Sequence, residues 1–490
     1  ARAVGAAAAA VAAAALVLKL QGRRPSSVLL AVLLSRRLRL LLNATFEATR
    51  VLRMQPRTVV LYHALDSPHS HLALQALQRL AAAYEVETEV RVIARLSPEL
   101  VLEQRKWRAW ALADCRALAA LYAGVLSFPC AAAAPALEAD RCLAAGHRLA
   151  LALPPRGPAT VAALLDIGAA LWRSASAAEA EAALAQLGGE GGLPSIKEAE
   201  AARRLRANER RLARAGHYLP GVLSYGLEHF WGVDRARHLE RRLGCPAGAE
   251  FFGRQERFAM DEAAAAGGCA GVRVRVFWSF RSPYSQLCLG RLYRLARHYG
   301  AEVDVRPVLP MVMRGYGVPW AKRLYIVTDC AREAAGQPFG MLADPVGAPT
   351  KRAMCLLPLA AAQGRLEHFL KAWAACVWGA GYDAASAAGL RAIARRAGLQ
   401  WGPEFDAALA ADADAERAHE AAKAAGGDGC GWRADVERNS AMLAAAGLWG
   451  VPSFAVLRAG PAGDQLLGTA WGNDRLWLVE RMLLAARAPA

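Results

Sequence analysis

No pair of cysteines in this chain has the C-x-x-C spacing. The redox dithiol of thiol–disulfide enzymes and the paired zinc knuckle are thereby excluded. Ten cysteines scattered over 490 residues are too thin for a disulfide framework. They fit a reducing compartment with mostly inert thiols. Acidic residues are missing from the first 46 positions. Such an acid-free, arginine-rich leader resembles an organellar transit peptide, or else forms an amphipathic helix leading into the first domain. The expected compartment is cytoplasmic, or mitochondrial or another organelle through that leader. A long apolar run is also lacking: the alanine-rich stretch 5–17 is short of the ~20 residues a membrane span needs, so none is expected. No lysine-rich tract, RNA-binding aromatic strand or zinc-finger spacing occurs. The net charge of +17 therefore reads as an arginine-rich surface interleaved with Glu and Asp, with no nucleic-acid partner, though anionic small substrates suit it.

The length implies roughly two to four domains. Apolar residues make up 55% of the chain, and much of that is alanine, which favours helix but buries little area. The sequence also matches itself at long range. TVVLYHALDSPHSHLALQAL (58–77) aligns with VRVFWSFRSPYSQLCLGRLY (274–293), pairing Ser67-Pro68 with Ser282-Pro283 at an offset of 215. ALADC (111–115) echoes IVTDC (326–330), and Pro220 pairs with Pro452. Trp231 to Arg235 pair with Trp471 to Arg475 at an offset of 240. Ordered matches with a slowly growing offset imply duplication with small insertions.

The expected organisation is a leader over 1–55, a first domain over 56–245, a linker over 246–272 that is glycine- and alanine-rich near 263–271, and a second domain over 273–490. Each half reads strand, helix, strand, a long helical block, then two strands and a helix. In the second half the first unit is a strand, a helix from about 283 to 299, and a second strand, a parallel pair with a right-handed crossover. SFAVLRAG and DQLLGTAW read as a hairpin. The expected fold is α/β, with two tandem thioredoxin-like domains, each carrying an inserted helical subdomain.

Ser282 followed by Pro283 simply starts a helix on one reading, since serine caps and proline suits the first helical position. The same helix end presents unpaired N–H groups and partial positive charge. A serine there can donate to a thiolate that something else supplies. Val451-Pro452 marks the start of a strand. Asn473 and Asp474 suit a helix start, or a cradle for a carboxylate and an ammonium. His69 and His71, two apart on a helix, do not share a face, so no metal is expected there.

These residues carry a resemblance. SFRSPYSQL, AKRLYIVTDCAREAAGQPFG (321–340), GVPSF (450–454) and WGNDRLWLVERML (471–483) resemble the DsbA-like thioredoxin family, specifically its 2-hydroxychromene-2-carboxylate isomerases and kappa-class glutathione transferases. The resemblance covers nearly all of 273–485. It implies a glutathione-dependent isomerase or transferase with Ser282 against the glutathione thiol. It implies that Val451 pairs with the glutathione backbone beside a cis Pro452, that Asn473 and Asp474 hold the γ-glutamyl end, and that Lys322 lies near the ligand. A small-molecule electrophile would be the substrate, and a homodimer is compatible. The insert departs from the family pattern: Tyr316 stands where an asparagine is usual. The first domain keeps Ser67, Pro68 and Pro220 but lacks an evident insert lysine, as expected of a decayed copy. Two rival readings stand beside this one: a thiol–disulfide oxidoreductase using Cys288 without C-x-x-C, and a non-catalytic binding protein.

Overall fold

The computed structural model describes residues 13–94, 103–128, 137–256, 267–334, 336–410, 412–425, 431–461 and 463–487. Cys130, Cys430 and linker positions 263–266 lie outside these. The chain divides into two compact units, one of residues 41–257 and one of 258–490 together with the described residues before 41. These bounds differ from the division drawn on composition. Residues 22–27 pack on the second unit: the Arg24 guanidinium meets Asp383 Oδ1 at 2.8 Å, and the Arg24 N–H donates to the Gly381 carbonyl at 2.8 Å. Residues 251 and 252 belong with the first unit, where their N–H groups donate to Glu240. The first attachment joins residues 359 positions apart, which composition does not reveal.

In the first unit, β1 (Thr58–His63) lies parallel to β2 (Glu87–Val92) and antiparallel to β3 (Val222–Tyr225). β3 pairs antiparallel with β4 (Glu228–Trp231). Helix α1 (Pro68–Ala83) makes the crossover, and α2 (Gln104–Leu121) belongs to the helical layer. In the second unit, β5 (Val272–Trp278) lies parallel to β6 (Glu302–Pro307) and antiparallel to β7 (Ser453–Arg458). β7 pairs antiparallel with β8 (Gln465–Trp471). Both sheets share one order, with strands two, one, three and four side by side. The helices that matter here are α3 (Pro283–Tyr299), α4 (Trp320–Glu333), α5 (Leu366–Trp373) and α6 (Leu476–Ala486). This is the α/β thioredoxin-like arrangement, present twice.

The second core runs from Val274 and Val276 on β5 through Leu292 on α3 to Phe369 and Trp373 on α5. Trp278 and Phe280 sit at its centre, fully buried, with their rings edge to face at 4.5 Å. No described helix is long and apolar enough to cross a membrane.

Three of the histidines that the first unit buries, His63, His71 and His217, give it a pH dependence. Burial holds His63 and His217 at about 3 and His71 at about 4, all below the ordinary 6.5. An unfolded chain takes up these protons near pH 6.5, whereas the folded one resists them until pH 3–4. The stability they contribute is therefore complete above pH 6.5 and is lost as pH falls from there. By linkage, each lowers stability by about 2 kcal/mol at about pH 5. Calorimetry at about pH 7.5 and about pH 5 should show one transition falling steeply. An unchanged thermogram would refute the buried, neutral state of these rings.

Candidate functional site

The chain turns sharply between β5 and α3. The Ser282 N–H donates to the Ser279 carbonyl at 3.1 Å. Ser282 is extended, with φ −84° and ψ 113°, and its Oγ accepts the Ser285 N–H at 3.2 Å. It is thus the N-cap, and Pro283 fills the first helical position, where a missing N–H costs nothing. The helix layer pins this turn. The Phe280 carbonyl accepts the indole N–H of Trp373 at 3.1 Å and of Trp378 at 3.4 Å. Arg281 forms a two-pronged ion pair with Asp344 at 2.7 and 2.8 Å.

The Val451–Pro452 peptide is the one cis bond among the described residues. The Val451 carbonyl stands 3.5 Å from Ser282 Oγ, a long contact at the edge of hydrogen bonding. Ser282 thus keeps a hydroxyl proton with no close acceptor among the described residues, and the side chain is partly open to solvent. The sequence-predicted Ser282, Val451 and Pro452 come together here. Asn473 joins them less directly. It is buried on the single turn before α6, and Arg291 of α3 donates to its Oδ1 at 2.7 Å and to its carbonyl at 3.0 Å. Its Nδ2 is buried with no hydrogen-bond partner. Asp474 Oδ1 lies 3.3 Å from the guanidinium of the fully buried Arg475. Lys322 sits on α4, half-buried, and burial presses its ammonium below the usual lysine range. Tyr316 is exposed on the preceding loop.

One contact at this site went unread in the sequence. The Tyr284 hydroxyl donates to the buried Asp329 Oδ2 at 2.7 Å, tying the first turn of α3 to α4. In the first unit His69 Nε2 meets Asp114 Oδ2 at 2.9 Å. Both residues of that pair precede their counterparts by 215 positions. The echo of ALADC in IVTDC was the signal, and its partner was the residue after each Ser-Pro.

The two helix ends differ in access. Ser67 caps α1 as Ser282 caps α3, but it is 4% exposed. Gly221 presses its main chain against α1: a Cβ there would lie 3.2 Å from the Ser70 nitrogen. Trp231 covers His69 with its ring 5.3 Å away and donates its indole N–H to the Pro220 carbonyl at 3.0 Å. His71 faces Phe128 and Trp172 instead, so the two histidines point at different partners.

Cys288, the cysteine nearest the turn, is fully buried, and its thiol donates to the Ser285 carbonyl at 3.2 Å. Burial pushes it up to about 12. A thiol so placed is neither ionised nor reachable. This placement inside the helix does not favour the rival reading that gave Cys288 a redox role.

Residues 273–430 match the DSBA-like thioredoxin domain. Those residues lie within the second unit. No curated protein matches the chain. Among solved structures, the chain is similar to a 2-hydroxychromene-2-carboxylate isomerase at 21% identity, covering 43% of this chain and 93% of that one, with TM-score 0.31. It is similar also to a probable DsbA oxidoreductase from Streptomyces coelicolor at 20% identity, covering 45% and 92%, with TM-score 0.31. The matched residues include Ser282 at the N-cap of α3.

Proposed function

We propose that the DSBA-like domain is a glutathione-dependent isomerase or transferase for a small conjugated electrophile. The observation that carries this is Ser282: a partly open hydroxyl at a helix N-terminus, its proton held only by a long 3.5 Å contact to the Val451 carbonyl, with no usable cysteine nearby among the described residues. Glutathione, when bound, supplies the thiolate that adds to the electrophile and is later eliminated.

The chain's own residues would do the rest. The Ser282 hydroxyl already accepts the Ser285 N–H, so it can point its proton at a sulfur anion. The end of α3 adds a favourable field worth about 0.3–2 kcal/mol. Val451 offers main-chain groups beside the cis bond, the pairing that recognises a peptide backbone rather than side chains. The tripeptide is an anion with an ammonium at its γ-glutamyl end, and the donor set fits it. Asp474 suits the ammonium, the spare Asn473 amide suits an oxygen, and the half-buried Lys322 gains from any anion that approaches it. The first unit, closed over Ser67, serves as a non-catalytic copy in this reading. A reducing compartment, where glutathione is the abundant thiol, suits the free cysteines.

Isothermal titration of the full chain with glutathione tests the reading. Saturable heat is expected, and it should weaken in Asp474→Ala. No heat and no thermal shift with glutathione would favour a binding protein of other purpose.

A further inference from the structure

A cavity of about 580 Å³ opens on the flank of α3 in the second unit. It does not include Ser282, Val451 or Asp474. Five basic side chains line it: Arg291 and Arg294 from α3, His368 and Lys371 from α5, and Arg396 from the helix at 387–397. No carboxylate among the described residues lines it. Glu367 engages Lys371 at 2.6 Å, and Asn473 engages Arg291. Arg294 and Arg396 have no hydrogen bond or ion pair among the described residues.

The rest of the lining is apolar. Phe339 and Trp378 lie parallel, 3° apart with ring centres at 6.2 Å, and Leu287 and Ala375 border them. Trp378 ends a single π-helical turn, Ala374–Trp378, which follows α5 directly. Such turns interrupt the regular ladder and are frequent at functional positions. A third observation concerns Gln286, which lines the cavity and is 4% exposed. Its Nε2 donates to the Ser279 and Ser282 carbonyls, while its Oε1 is buried with no hydrogen-bond partner. A buried acceptor left unmet is costly unless a donor arrives.

Together these describe a ligand. A concave surface of one charge sign concentrates the opposite sign, and two uncommitted guanidiniums match an acidic group. The aromatic wall gains from covering by an apolar body. We propose that this cavity binds an amphipathic organic anion: an apolar body over Phe339 and Trp378, one acidic group toward Arg294 and Arg396, and a donor to Gln286. It is a second site, separate from the Ser282 turn.

The probe is 1-anilinonaphthalene-8-sulfonate, which carries an apolar bicycle, a sulfonate and one N–H. Its fluorescence with the full chain should rise saturably. Arg294→Glu combined with Arg396→Glu should weaken binding about tenfold or more, and Ala375→Trp should abolish it by filling the cavity. Circular dichroism and melting keep folding in view; both arginines are exposed, so the charge-reversed chain should fold as wild type. Laurate should displace the probe and inorganic phosphate should not. Failure to saturate, or equal binding by the charge-reversed chain, overturns the site. Displacement by phosphate as effective as by laurate overturns the apolar half of the assignment.

Discussion

Ser282→Ala is expected to lower glutathione-dependent kcat/KM about a hundredfold, the cost of losing one preorganised donor to a developing or resident anion. The fold should survive. Losing a serine cap costs roughly 1 kcal/mol, and Pro283 and the Phe280 clamps still define the turn. Two controls separate chemistry from stability. Ser282→Gly restores most of the cap energy but no hydroxyl, so it should be as inactive as alanine while melting closer to wild type. Ser67→Ala removes the equivalent cap in the first unit and should cost stability alone. If Ser282→Ala turns over at the wild-type rate with glutathione, the hydroxyl has no role. The melting data decide whether any loss is merely structural.

The second large effect is on stability. Trp278→Ala should destabilise the second unit by about 3–5 kcal/mol. Trp278 is fully buried, lies edge to face with Phe280, and donates its indole N–H to the Ser285 carbonyl at 2.9 Å. Removing it leaves a void at the junction of sheet and helices and takes one of the donors from the Ser285 carbonyl, which keeps the Cys288 thiol. Two compact units can melt separately. Calorimetry should therefore show one transition falling by about 10 °C while the other stays. Trp278→Phe keeps most of the packing and loses only the hydrogen bond, so its effect should be well under half as large. A small shift for Trp278→Ala would mean that the core around Phe280 can collapse into the space.

Much of the second unit was readable because its signals are local. Ser282-Pro283 is a cap followed by the proline that suits it, and the helix spans 283–299 as the apolar spacing indicates. The hairpin followed from two strand-like runs around a Pro/Gly turn, and β7 and β8 pair there. What stayed hidden depends on contacts between distant residues. Arg291 reaches Asn473 across 182 positions, and Tyr284 reaches Asp329 across 45. Period and propensity describe a face, not which residue stands opposite it. The attachment of residues 22–27 to the second unit is of the same kind, since Gly22 lies against the backbone of Gly389. The cation-lined cavity was equally illegible: its basic residues come from three separate helices, and in sequence they look like ordinary solvated charges.

The closure over the first helix mouth is made by backbone as well as by the Trp231 ring. Gly221 already lacks a side chain, and its own main-chain atoms occupy the approach to Ser70. Trimming Trp231 alone would not reopen that door, nor would grafting the residues around Ser282 onto the Ser67 turn. Anyone wishing to give this half an activity would have to re-route the strand entry at 219–221 first.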